Sequence, residues 1–228
     1  FNQYNRINTW TSIYWSAQSA LNAAKDIASG AKLSVSVSRP SGHHARRESA
    51  GGFCFVNNAA IAAEYLLDHS DAKKILILDT DVHHGQGIQE IFYERNDVMY
   101  ISLHGDPTNF YPAVAGFEEE RGAGEGLGFN INYPFTHGIS EADFLKLLDK
   151  AMTDAKIFNP DVIIHNMGFD VYKDDPQSKS EVTTSGMKRI AEEVVALGKP
   201  VLGLLEGGYL IETLAANTTS YIRGLMDK

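Results

Sequence analysis

At 228 residues, 43% hydrophobic and 21% charged, the chain has ordinary globular composition and enough length for a full core, which excludes a disordered or low-complexity protein. No apolar run approaches the roughly 20 residues that cross a bilayer, no leader peptide is visible, and Cys54 is the only cysteine. A spanning helix and an internal disulfide are therefore excluded, and a cytoplasmic location is expected. With 29 acidic against 20 basic residues, a net charge of −9, the balance argues against nucleic acid and suits a cationic substrate drawn to an acidic cleft. Most of those carboxylates serve solubility. The chain begins at Phe1 instead of Met, so its start is expected to lie upstream.

Taken in chain order, the periodicity predicts a helix over 10–29, stopped by Gly30, and a strand over 33–38, ended by Pro40. A loop rich in Gly, His and Arg follows. Next come a helix over 56–69, a buried strand over 75–78, a short helix near 87–95 and a strand over 98–103. The Gly- and Pro-rich stretch 104–128 reads as a long surface excursion. The remainder reads as strand 129–133, helix 141–158, strand 162–167, helix 184–197, strand 201–205 and helix 211–226. There is no internal repeat and no linker, so residues 1–228 are expected to form a single domain. Apolar strands alternating with amphipathic helices predict an α/β fold with a mainly parallel sheet covered on both faces. In such folds ligands sit beyond the carboxyl ends of the strands.

The reactive side chains fall at those ends. After the strand ending at Leu78 comes Asp79-Thr80-Asp81-Val82-His83-His84-Gly85, in which an extended chain would turn Asp79, Asp81 and His83 to one face. Asp81 and His83 could share a metal ion, with Asp79 deeper as an acceptor; the plainer reading is a polar cluster ending a strand. Asp170, in Gly168-Phe169-Asp170 after the strand 162–167, could add a third ligand and leave a position open for water and substrate, or could simply cap a turn. His43 and His44, in the loop after the strand 33–38, have the residue type for a general base and a general acid, although packing histidines are common. His84 faces away and reads as a packing or hydrogen-bonding residue. Tyr209, in Glu206-Gly207-Gly208-Tyr209, could swing over a site and stabilise an oxyanion, or could merely cap the sheet edge. The glycines at 122, 124, 126 and 128 do not make a nucleotide loop, because no strand precedes them and no helix follows.

In the order RPSGHHA, GGFCFVNNAAIAA, DTDVHHGQG, ISLH, GFD and EGGY, the sequence resembles the histone deacetylase superfamily from about residue 33 to its end. The resemblance implies a three-layer arginase/deacetylase-like fold and one zinc ion bound by Asp81, His83 and Asp170. It implies proton transfer by His43 and His44, with Asp79 orienting His43 and Tyr209 polarising an acetyl carbonyl. Gly52, Phe53 and Tyr111 match the substrate channel. A structural potassium ion is implied at Asp79 and the Ser102 hydroxyl, with backbone oxygens of Asp81, His83 and Leu103. IFYERNDV, SLHGDP and LLEGGY look most like the bacterial acetylpolyamine amidohydrolases. That implies a small acetylated amine as substrate, no nucleic-acid or membrane partner, and a homodimer.

Two departures from the family pattern stand out. Gln86 occupies a position where relatives carry Asp or Asn beside the second histidine, so His44 is expected to stay neutral to higher acidity, and Gln86→Asp to shift the pH–rate profile. The family's N-terminal segment is also expected to be missing, which would leave a sheet edge open. Three other functions remain open: a deacetylase acting on acetyl-lysine in proteins, a catalytically silent acetyl-amine binder, and a binuclear manganese ureohydrolase. The last lacks its paired DxHxD motif here.

Overall fold

The computed structural model of the chain describes residues 6–227. Its centre is a six-stranded sheet, all parallel, in the order β1-β6-β5-β2-β3-β4. The strands are β1 (Leu33–Ser36), β2 (Ile75–Asp79), β3 (Val98–Gly105), β4 (Asn130–Phe135), β5 (Val162–Met167) and β6 (Val201–Leu205). The helices are α1 (Arg6–Ala28), α2 (Asn58–His69), α3 (Gln86–Phe92), α4 (Glu141–Phe158), α5 (Thr184–Val195) and α6 (Ile211–Met226). Every residue of β2, β3, β5 and β6 is buried, as runs such as Ile75-Leu76-Ile77-Leu78 require when both sheet faces are covered.

Alternate residues of each strand feed two separate cores. Ile75, Ile77, Val98, Tyr100, Ile164 and Leu202 pack against α1, α2 and α3. Leu76, Leu78, Ile101, Ile163, Val201 and Leu205 pack against α4, α5 and α6. The result is a parallel sheet covered on both faces, as the pattern predicted, and the three-layer fold that the family resemblance implied.

Local chemistry sets the helix ends. Asn57, Ser140 and Thr183 cap α2, α4 and α5, each side-chain oxygen accepting a backbone N–H of the first turn. Asn159 closes α4 in the left-handed region at φ 52. Ends of α1, α2, α3 and α5 shift by one to four residues from the sequence reading, and strands differ too. β1 stops at Ser36, and β3 runs on to Gly105, two residues into the supposed excursion. β4 runs through Pro134 to Phe135, because it is an edge strand and a proline there forfeits no ladder bond on its outer side.

The strand order reverses between β2 and β5. From β2 the chain proceeds to β3 and β4 on one side, then returns to place β5 and β6 on the other. The loops leaving β2 and β5 therefore diverge and leave a crevice at their carboxyl ends.

Candidate metal centre and active site

β2 delivers Asp79 to the head of this crevice, in register with Ser102 of β3 and Asn166 of β5. Beyond Asp79 the chain leaves the sheet, so an extended strand does not turn Asp79, Asp81 and His83 to one side. They converge by another route. Asp79 Oδ1 accepts the Asp81 N–H at 3.1 Å, and Asp81 Oδ1 accepts the His83 N–H at 2.8 Å, two successive carboxylate-capped turns. Asp170 enters from the far side on the 3-10 turn Phe169–Val171 after β5, its Oδ1 accepting the Val82 N–H at 3.0 Å.

Asp81, His83 and Asp170 are all buried, and each offers a ligand atom within 4.8 Å of the others. His83 Nδ1 lies 3.1 Å from Asp81 Oδ1 and 3.3 Å from Asp170 Oδ2. Asp170 Oδ2 has no hydrogen-bond partner, an expensive state for a buried carboxylate. Burial, and then the charge of Asp81, push the Asp170 carboxyl up to about 7. Burial also opposes charge on Asp81, but His43 and His83 outweigh it and hold that carboxyl well down. Two carboxylates and an imidazole make a donor set suited to zinc, and a divalent cation would engage Asp170 Oδ2, which among the described residues has only His83 Nδ1, at 3.3 Å, as an ionic partner, so the residues fit such an ion. Close backbone approach makes room for it: a Cβ on Gly207 would fall 2.0 Å from Asp170 Oδ2.

His43 and His44 lie over this cluster with ring centroids 3.9 Å apart. His43 Nδ1 donates to Asp79 Oδ2 at 3.0 Å, an oxygen that also accepts the Tyr100 hydroxyl, and this turns His43 Nε2 toward Asp81. Burial works against charge on His43, but Asp79, Glu206 and Asp81 together hold its pKa well above the usual value. His44 is shifted the other way, by burial and by His43. Its Nδ1 donates to Gln86 Oε1 at 2.7 Å, and Gln86 Nε2 donates in turn to the Tyr111 hydroxyl at 3.3 Å. His84 is fully buried against Tyr100 and His104 with neither ring nitrogen hydrogen-bonded, which makes it a packing residue.

Gly52 and Tyr111 both lie against His44, and Phe53 follows Gly52 in the chain. Gly52 sits at φ +52, and a Cβ there would lie 2.1 Å from the His44 ring. Phe53 is 74% exposed, and Tyr111, 41% exposed, stands edge-on to His44 at 4.7 Å. A cavity of about 220 Å³ opens on the Tyr111 side of His44, between His44, Gly51, Gln86, Tyr111 and Val114; Gly52 and Phe53 do not line it. Ser102 and Leu103 are buried on β3 beside Asp79, with the Ser102 hydroxyl 2.8 Å from His104 Nδ1.

Tyr209 follows β6. Burial and the charges of Asp81 and Asp170 raise its pKa, so the phenol keeps its proton. Each residue of its segment is tied to a different part of the chain. Glu206 Oε2 accepts the N–H groups of Gly42 and His43 at 2.9 and 3.1 Å, and its Oε1 accepts Asn166 Nδ2 at 2.9 Å. Gly207 N–H donates to Asp81 Oδ2 at 2.7 Å, and Arg39 donates to the Gly208 carbonyl. Asp175 accepts the N–H groups of Tyr209 and Leu210. His43, Cys54 and Glu206 also form a tight trio, but both Glu206 oxygens are engaged and burial drives the Cys54 thiol up to about 12, so this trio braces the His43 loop. The sequence reading missed Asp175, Glu206 and Phe110, whose ring stacks on His83 at 4.7 Å. Only Glu206, beside the glycine pair, carried any signal.

Residues 2–225 match the histone deacetylase domain family. The chain is 55% identical over 217 residues to an acetylpolyamine amidohydrolase of Burkholderia pseudomallei, covering 95% of this chain and 63% of that protein. It is 40% identical over 217 residues to an acetylpolyamine amidohydrolase of Mycoplana ramosa, with the same coverage. A crystal structure of an acetylpolyamine aminohydrolase from Burkholderia pseudomallei superposes with a TM-score of 0.92 at 55% identity, over 94% of this chain and 62% of that one. The HDA15 HD domain gives a TM-score of 0.91 at 38% identity, over 95% of this chain and 62% of its own. The chain thus spans less than two thirds of the length of these relatives.

Proposed function

Since the chain belongs to the histone deacetylase family, we propose that it is a zinc-dependent amidohydrolase that removes acetyl groups from small acetylated amines of the acetylpolyamine class. The observation that carries the reading is a buried carboxylate oxygen, Asp170 Oδ2, left without a hydrogen bond among Asp81, His83 and two further histidines. The names of the relatives and the acidic balance of the chain support the substrate class.

Asp81, His83 and Asp170 would hold the ion, which supplies polarisation of the amide carbonyl and acidification of water. His44, kept neutral by burial and by its neighbour, accepts the proton of the attacking water through Nε2. His43, whose charge Asp79 and Glu206 favour, donates a proton to the leaving nitrogen. The Tyr209 O–H, held protonated, donates to the oxygen that gains charge as the carbonyl carbon turns tetrahedral. Collapse breaks the C–N bond and gives acetate and a free primary amine. Gly52, Phe53 and Tyr111 would line the path of the acyl chain. The set Asp79, Asp81, His83, Ser102 and Leu103 would take a structural potassium ion. Among the described residues no helix is long and apolar enough to cross a membrane; a cytoplasmic homodimer completes the proposal.

Metal analysis and a substrate panel test it together. The chain should take up about one zinc ion and hydrolyse N-acetylputrescine faster than an acetyl-lysine peptide, and Asp170→Asn should lose both the zinc and the turnover. A chain that takes up no zinc ends the reading, and a preference for the peptide moves it to protein substrates.

A further inference from the structure

We propose that Asp175, with Arg39, is the positioning clamp that aims Tyr209 at the reacting carbonyl; this rests on the deacetylase reading of the same site. Tyr209 is 36% exposed, and its hydroxyl has no hydrogen-bond partner among the described residues, so its ring is aimed by its backbone. That backbone belongs to a glycine pair with Gly208 at φ +136, a segment with little stiffness of its own. The stiffness comes from outside. The Asp175 side chain is buried, with 6% of the residue exposed, and its Oδ2 accepts the Tyr209 N–H at 2.6 Å and the Leu210 N–H at 2.9 Å. Its Oδ1 is anchored by the Gln177 N–H at 2.9 Å, and its own N–H donates to the Tyr172 carbonyl at 2.9 Å, so the carboxylate cannot follow a moving loop. Arg39 holds the Gly208 carbonyl from the opposite side, on the loop after β1.

A carboxylate near the start of α6 has an ordinary alternative role, capping the helix. The geometry points elsewhere. Leu210 is the N-cap of α6, so its amide is one that a cap would take, but the Tyr209 amide lies outside the helix, and the bond to it is the shorter of the two. Asp175 also lies on the loop that carries Asp170, so one short stretch of chain fixes a metal-ligating carboxylate and the tyrosine that must act beside it.

A double-mutant cycle separates the clamp from a generic contribution to folding. In the zinc-loaded chain, Asp175→Ala should lower kcat on N-acetylputrescine by about tenfold to a hundredfold with KM little changed, the scale of misplacing one group in a site. Asp175→Asn, which keeps an oxygen for the two amides, should recover most of that loss. In a Tyr209→Phe background Asp175→Ala should cost less than about twofold, because nothing remains for it to aim. An equal loss in both backgrounds overturns the proposal. Should Asp175→Ala fail to fold, Arg39→Met runs the same cycle with the same two outcomes. Amide hydrogen exchange at Tyr209 and Leu210 keeps the two readings apart. Protection lost in Asp175→Ala or Arg39→Met while wild type turns over no acetylated amine leaves the clamp standing and the deacetylase reading fallen. Protection unchanged in both removes the clamp, whatever the activity.

Discussion

Gln86 shows how much one side chain can decide at this site. Its amide accepts from His44 through Oε1 and donates to Tyr111 through Nε2, so it fixes the tautomer of His44 and ties a rim residue to the same unit. Asp81 and the Gln86 hydrogen bond raise the His44 pKa, but burial and His43 outweigh them and hold it well down. Gln86→Glu keeps the side-chain length, which Gln86→Asp does not, and adds a negative charge that favours the imidazolium form of His44. A base must be neutral to act, so raising its pKa moves the acid limb of the kcat/KM profile toward higher pH, by about one unit or more. At pH well above that limb the two enzymes should turn over alike. A limb that stays where it was in wild type would remove His44 as the base.

At the scale of elements, the histidine loop owes its shape to the helix that follows it. Asn57 caps α2 through Oδ1, taking the Ala60 N–H at 3.0 Å, while its Nδ2 donates at 3.0 Å to the carbonyl of Ala45, next to His44. Asn57→Ala loses the cap and strands a buried carbonyl, at a cost of about 1–3 kcal/mol. Ser140→Ala on α4 loses only an exposed cap and should cost roughly 0.5–1 kcal/mol. Urea melts of the two variants test the ranking, and equal losses would mean that Asn57 does no more than cap. The helix over 141–158 and the strands over 162–167 and 201–205 were legible to the residue, because each is a periodic run bounded by its own cap or turn. The convergence of Asp81, His83 and Asp170 was legible through strand ends and motif order. The clamps of Asp175, Glu206 and Arg39 were not: each is a single side chain holding a backbone group far away in sequence, and such a bond leaves no periodicity and no composition to read. The convergence of Asp79, Asp81 and His83 was expected, but for the wrong local reason, since carboxylate-capped turns do what an extended strand was expected to do.

At the scale of the whole molecule, the trio proposed to hold the metal joins the two halves of the sheet across its reversal point, Asp81 and His83 from the loop after β2 and Asp170 from the loop after β5. An ion bound only by the folded form stabilises it by linkage, about 2.7 kcal/mol at a free concentration a hundred times Kd. For a chain of this length that is a rise in Tm of roughly 5–11 °C. Calorimetry of the chelated and zinc-loaded protein should show that rise, and Asp170→Asn should show little of it; a variant that gains as much as wild type would place the ion elsewhere.

The order of strands also carries a consequence for biosynthesis. β5 slots in beside β2 and β6 then closes on β5, so Asp170 and Tyr209 reach the crevice only after the segments that carry β5 and β6 have left the ribosome. A nascent chain that has made β1 to β4 owns two ligands and no third, and cannot retain the ion firmly. Metal capture, as proposed, is then a seal on a finished crevice, and cannot be the seed from which the sheet grows.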